Sequence, residues 1–215
     1  GGIIAGEIVA KAPPDGYTYL IGGSSVTSAN PYLYKNLSYD PVKDLEEVGV
    51  VGYFPIIGMV KKDSPYKTVS DIIARARANP GKVSYAYYSA LAQISPELIR
   101  ARAGVDLLAV SYKNVSQIST DIAGGVVDFT FLDAIGAAPV LQGGLLRPIA
   151  VTSLQRMSSM PDVPTMAEIL PGFEVQGWSG LHALKGVQAA VVERMNALLR
   201  DMQQDAPSKD QLERQ

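Results

Sequence analysis

The chain has 215 residues, 47% of them hydrophobic and 19% charged, with a formal net charge of −2. That is a core-forming composition, which excludes disordered and collagen-like classes, and with no Lys/Arg cluster there is no basic face for nucleic acid. No apolar run approaches the roughly 18 residues of a membrane span, and the absence of Cys removes disulfides, thiolate metal sites and thiol nucleophiles.

The chain opens on Gly1-Gly2-Ile3-Ile4 with neither a Met nor a signal pattern, so a mature or trimmed piece is expected. Residues 2–11 suit a helix end, Asp15-Gly16 a turn and residues 17–22 a strand. Residues 26–34 have helical composition, although Pro31 would break or end that helix. Residues 48–60 form a long apolar stretch, interrupted by Gly52 and Pro55, that suits a connector between two domains.

The clearest unit follows. Thr68 and Asp71 have capping-box spacing, Val69, Ile72, Ile73 and Ala76 share one helical face, and Asn79-Pro80-Gly81 stops the helix. Residues 83–88 then read as a strand. The unit recurs: Ser95 caps a helix with Pro96 at its first position, Gly104 ends it, and residues 107–111 form a buried strand. Ser116 caps the next helix, residues 126–132 form a strand, residues 134–141 a helix and residues 146–151 a strand. This alternation predicts right-handed crossovers and a mainly parallel, doubly wound α/β domain over residues 68–151. Beyond it, residues 173–184 form a second extended stretch. Residues 188–203 form an amphipathic helix with Val191, Met195, Leu198, Leu199 and Met202 on one stripe.

Little here supports catalysis. The single His, His182, lies in a run resembling a buried strand and reads as structural rather than catalytic. No metal-ligand spacing, G-x-G-x-x-G or phosphate loop occurs, and Gly23-Ser24-Ser25-Val26 lacks the second Gly of a nucleophile elbow. What recurs is a polar loop between strand and helix, at residues 22–27, 88–95 and 112–116. In open α/β sheets such loops aim helix N-terminal N–H groups at an anion, although each Ser taken singly reads first as a plain N-cap or turn former.

A run of motifs carries a resemblance. Ala10-Lys11-Ala12-Pro13-Pro14-Asp15-Gly16-Tyr17-Thr18 precedes Asn30-Pro31-Tyr32-Leu33-Tyr34-Lys35-Asn36-Leu37 and Tyr39-Asp40-Pro41-Val42-Lys43-Asp44. Asn79-Pro80-Gly81-Lys82, Ser111-Tyr112-Lys113, Gly124-Gly125-Val126-Val127-Asp128 and Pro161-Asp162-Val163-Pro164-Thr165 follow in order. The chain thus resembles the substrate-binding proteins of tripartite tricarboxylate transporters, the Bug proteins.

The resemblance implies a two-lobed, type II periplasmic-binding-protein fold of the Venus-flytrap kind, its α/β sheets mainly parallel and doubly wound. The first lobe is expected at 1–55 and 178–215, lacking the family's opening strand, Gly-rich loop and helix, so incomplete. The second is expected at 56–177, with connectors near 48–60 and 173–184. Implied too are periplasmic location, a small carboxylate ligand, membrane permease subunits as partners, no cofactor or metal, and a monomer. By position the ligand would meet Ser24, Ser25 and Thr27 from the first lobe, and Ser89, Tyr112, Lys113, Asn114 and Asp133 from the second. Where the family has a Gly- and Ser-rich loop, this chain reads Tyr88-Ser89-Ala90-Leu91-Ala92-Gln93-Ile94, which with Tyr87 suggests a larger, aromatic or less polar ligand. Asp133 either recognises an ammonium or caps the following helix. Two other classes stand beside this one: the effector domain of a transcription regulator, and a hydrolase pairing Ser24 or Ser25 with His182.

Overall fold

The computed structural model describes residues 2–208. In chain order come α1 (Ile3–Ala10), β1 (Tyr19–Gly23), a π-helical segment (Ser24–Ala29) running into α2 (Asn30–Leu33), and α3 (Pro41–Asp44). The long β2 (Leu45–Lys61) leads to α4 (Val69–Ala78), β3 (Ser84–Tyr87), α5 (Ala90–Ala103), β4 (Leu108–Ser111) and α6 (Val115–Ala123). Then follow β5 (Phe129–Asp133), α7 (Ala134–Gln142), β6 (Leu146–Val151), α8 (Met166–Ile169), β7 (Gln176–Leu184) and α9 (Ala189–Gln204). The chain divides into two compact units: one holds the chain up to Tyr53 together with the chain from Trp178, the other is Phe54–Gly177. β2 and β7 are the strands that pass from one unit to the other.

In the Phe54–Gly177 unit, β3 pairs in parallel with β4 on one side and β5 on the other. β2 runs antiparallel to β5 and β6. Each parallel step is bridged by a helix, as the alternating pattern predicts, and the sheet buries both faces. Ile56, Val60, Tyr85, Phe129 and Phe131 belong to one cluster; Ile57, Met59, Ala86 and Leu132 belong to the other. Burial on both sides is why these strands read as continuous apolar runs rather than alternating ones. The Thr68–Asp71 capping box forms in full: Asp71 N donates to Thr68 Oγ1 at 3.2 Å, and Thr68 N donates to Asp71 Oδ2 at 2.8 Å.

Three local expectations change. α5 starts at Ala90 with Ser89 as its cap, so Ser95 and Pro96 lie inside the helix rather than at its start. Asn114, not Ser116, caps α6. The strand at 108–111 is largely exposed rather than buried, because β4 is the edge of the sheet and pairs only with β3.

In the other unit β1 pairs antiparallel with β7, with Leu20 opposite His182, Gly22 opposite Gly180 and Gly23 opposite Ser179. The parallel winding of the Phe54–Gly177 sheet therefore does not extend to this pair, which is joined by neither a hairpin nor a crossover helix of its own. Its core is small: Val9, Leu20, Val26, Tyr39, Leu45 and Leu184. α9 buries only Leu199 and holds β2 by polar contacts instead, Asn196 Nδ2 donating to Val48 O at 2.5 Å and Gln203 Nε2 to Val50 O at 2.7 Å. Pro31 sits in the first turn of α2, where its missing N–H costs nothing.

Candidate functional site

In the Phe54–Gly177 unit, α5, α6 and α7 each begin directly after one of the neighbouring parallel strands β3, β4 and β5. Their N-termini therefore gather at the carboxyl edge of the sheet, where unpaired N–H groups favour an anion. Each is capped by a residue expected at the site. Ser89 Oγ accepts from Ala92 N at 3.2 Å, Asn114 Oδ1 from Gln117 N at 2.9 Å and Asp133 Oδ1 from Gly136 N at 2.9 Å. Asp133 Oδ1 thus serves as a helix cap, one of its two expected roles, while Oδ2 accepts a bond from the Tyr88 hydroxyl.

Tyr112 is tied to its own helix: its hydroxyl donates to Asp121 Oδ2 at 2.8 Å, and burial together with that bond pushes its pKa up to about 12. The phenol stays protonated at neutral pH. Lys113 is exposed and makes no ion pair among the described residues, which leaves it the free cation beside these helix starts.

In the unit containing β1, two hydroxyls of the loop after that strand are committed to backbone. Ser24 Oγ accepts from Trp178 N at 2.8 Å, and Thr27 Oγ1 donates to Gly23 O at 3.0 Å. Ser25 is half-buried between them. Thr27 also lines a cavity of about 320 Å³ with Ser28, Glu46, Trp178, His182 and Lys185. A more open depression of about 500 Å³, around Tyr34, Lys35, Asp40 and Asp44, contains none of the expected site residues.

His182 is buried in β7 against Trp178, ring centroids 5.9 Å apart, and its Nδ1 has no hydrogen-bond partner. It is structural in position but not satisfied, and Ser24 bonds to the Trp178 backbone instead of to this imidazole. The Ser–His pairing that a hydrolase requires is not assembled. Among the described residues no group of three or more His, Asp or Glu is placed to hold a metal, and no helix is long and apolar enough to cross a membrane.

A family model described as the tripartite tricarboxylate transporter family receptor, TctC, matches residues 1–213. The chain belongs to the TctC family. TctC proteins are substrate-binding receptors rather than enzymes, and the fold described above is similar to that of the periplasmic binding protein BugD, at 30% identity and a TM-score of 0.86. This TctC chain is 36% identical over 201 residues to the UPF0065 protein in the tcbD-tcbE intergenic region of Pseudomonas sp. (strain P51). That match takes in 92% of the chain but 60% of the Pseudomonas protein, so the chain spans less than two thirds of that relative's length. Among solved structures it is similar to R. palustris Rpa4515 with adipate, at 31% identity and a TM-score of 0.92, covering 99% of this chain and 72% of that one. It is also similar to MatC (Rpa3494) from Rhodopseudomonas palustris with bound malate, at 26% identity and a TM-score of 0.85, covering 97% and 72%.

Sequence reasoning missed one residue here. Tyr88 entered as a generic aromatic, whereas in the structure it is the partner of Asp133. The signal available was its position, directly after a strand and before a capping Ser.

Proposed function

We propose that this chain is the ligand-binding part of a periplasmic receptor. It captures a small organic carboxylate and delivers it to the membrane permease subunits of a tripartite tricarboxylate-type transporter, without catalysis, cofactor or metal. The observation that carries this reading is the gathering of three capped helix N-termini at one edge of the parallel strands, with Lys113 beside them. Such an edge offers dipoles and N–H donors to an anion, and reversible capture needs nothing more. The carboxylates in the two similar solved structures support the ligand class.

Within that class we assign Ser24, Ser25, Thr27, Ser89, Tyr112, Lys113, Asn114 and Asp133 to ligand contact or to shaping the contact surface. Tyr88, directly after β3, favours an acid with an apolar or aromatic middle over a short, hydrophilic one, whereas Tyr87 packs against the other face of the sheet, and the receptor acts as a monomer.

A thermal-shift panel of adipate, malate, succinate and aromatic dicarboxylates tests the reading on the intact protein. At one hundred times Kd a bound ligand adds about 2.7 kcal/mol, which raises Tm by roughly 5–10 °C for a chain of this size. Adipate or an aromatic acid should stabilise most. A flat response to every carboxylate removes the receptor reading, and a preference for succinate removes the apolar-middle refinement. Lys113→Ala should weaken carboxylate binding about tenfold, the worth of one hydrogen bond to a charged group. Unchanged affinity in calorimetry rejects a role for Lys113.

A further inference from the structure

Of the residues assigned to the ligand, Asp133 is the one carboxylate, and a carboxylate in an anion site repels its ligand unless its charge is answered. Here each oxygen already accepts one bond. Oδ1 accepts from Gly136 N at 2.9 Å, and Oδ2 accepts from the Tyr88 hydroxyl. Tyr88 reaches Asp133 from the end of a different strand, with its ring half-buried against the cluster containing Ile57, Ala86 and Leu132. Its hydroxyl lies 3.4 Å from where a Cβ on residue 136 would sit, an ordinary contact distance, so the phenol packs directly over Gly136. Burial first, and the Asp133 bond and charge second, hold the Tyr88 pKa above the ordinary tyrosine range, so the group remains a donor across physiological pH.

We propose that Tyr88 biases specificity by donating to Asp133 Oδ2, which uses one of the acceptor sites of that oxygen and makes the one carboxylate of the set a weaker partner for an ammonium. The site then favours carboxylic acids that lack an α-amino group over the corresponding amino acids. An ammonium entering beside Asp133 meets an oxygen whose charge the phenol hydrogen bond already partly answers, so the bond it gains offsets less of the hydration it loses. This inference rests on the carboxylate-receptor reading above.

Tyr88→Phe keeps the ring and its packing while freeing Oδ2. Calorimetry with matched pairs (adipate and L-2-aminoadipate, glutarate and glutamate, succinate and aspartate) is read on whichever pair the wild type binds best. In Tyr88→Phe the affinity ratio of amino acid to plain acid should rise at least about tenfold, through a new charge-assisted bond and a newly unanswered negative charge. Asp133→Asn keeps the helix cap but lacks the charge, so alone it should show no rise. Added to Tyr88→Phe, it should abolish the rise. A merely structural role for Tyr88 would weaken both members of a pair alike. If the wild type binds the plain acids and Tyr88→Phe leaves the ratio unchanged, or if Asp133→Asn alone raises it, the specificity role is overturned while the receptor reading stands. If the wild type binds none of the acids, both fail. Should Tyr88→Phe fold poorly, Tyr88→Leu is read in its place, with the same rise expected and an unchanged ratio overturning the specificity role.

Discussion

Gly23→Ala should free the β1–β7 pair from its register. A Cβ at residue 23 would lie 1.9 Å from Trp178 O, 2.9 Å from Trp178 C and 3.1 Å from Ser179 Cα, all backbone atoms of the paired strand. The obstacle is close approach rather than a forbidden dihedral, since Gly23 is extended at φ 165°. Backbone in a paired strand cannot swing aside as a side-chain tip can, so the cost is at least about 3 kcal/mol. With a main core cluster of only six buried side chains in this unit, that cost is a large share of its stability. Amide hydrogen exchange across Tyr19–Gly23 and the facing β7 residues should accelerate by about a hundredfold or more. The control is Gly52→Ala in β2, where a Cβ meets nothing within 4 Å and exchange should hardly change. Equal behaviour of the two variants would falsify the steric account.

Thr152→Val should cost about 2–5 kcal/mol, because it removes a hydroxyl that serves two buried backbone groups at once. Thr152 is fully buried. Its Oγ1 accepts from Ile56 N at 2.8 Å and donates to Val175 O at 2.5 Å, while its own N–H donates to Ile56 O at 3.0 Å. Valine fills the same volume, so packing is preserved and the loss isolates the hydrogen bonds. Both orphaned groups then sit in a dry core with no substitute partner. Thr152→Ser retains the hydroxyl and loses one methyl group, a cost of about 1 kcal/mol. Urea unfolding of the three proteins distinguishes the cases. If serine costs as much as valine, packing matters at this position and the hydroxyl does not.

What the sequence made legible follows the range of the interactions involved. The Thr68–Asp71 box and the strand at 146–151 were readable because their causes lie within a few residues. The start of α5 was not. Ser95 followed by Pro96 satisfies every local rule for a helix start, yet the chain turns helical as soon as β3 ends, and Ser89 takes the cap. The exposure of β4 was equally hidden, since Leu-Ala-Val-Ser reads the same at the centre of a sheet as at its edge. At the site, the candidate positions came from resemblance, but their partners lie far off in the chain. Asp133 meets Tyr88 across 45 positions and Ser24 meets Trp178 across 154, and no periodicity encodes either pairing.

The bond from Trp178 N to Ser24 Oγ also makes the protein observable. The chain has one tryptophan, so its near-ultraviolet emission on excitation at long wavelength comes from a single indole. That indole is half-buried in β7, stacked at a tilt on the only histidine and joined through its own backbone to the loop that follows β1. A change in the Ser24 loop therefore alters the surroundings of the one fluorophore directly. The eleven tyrosines supply a background that can be separated by wavelength. Unlabelled protein thus carries its own optical probe at that loop, and stopped-flow mixing can follow events there in real time.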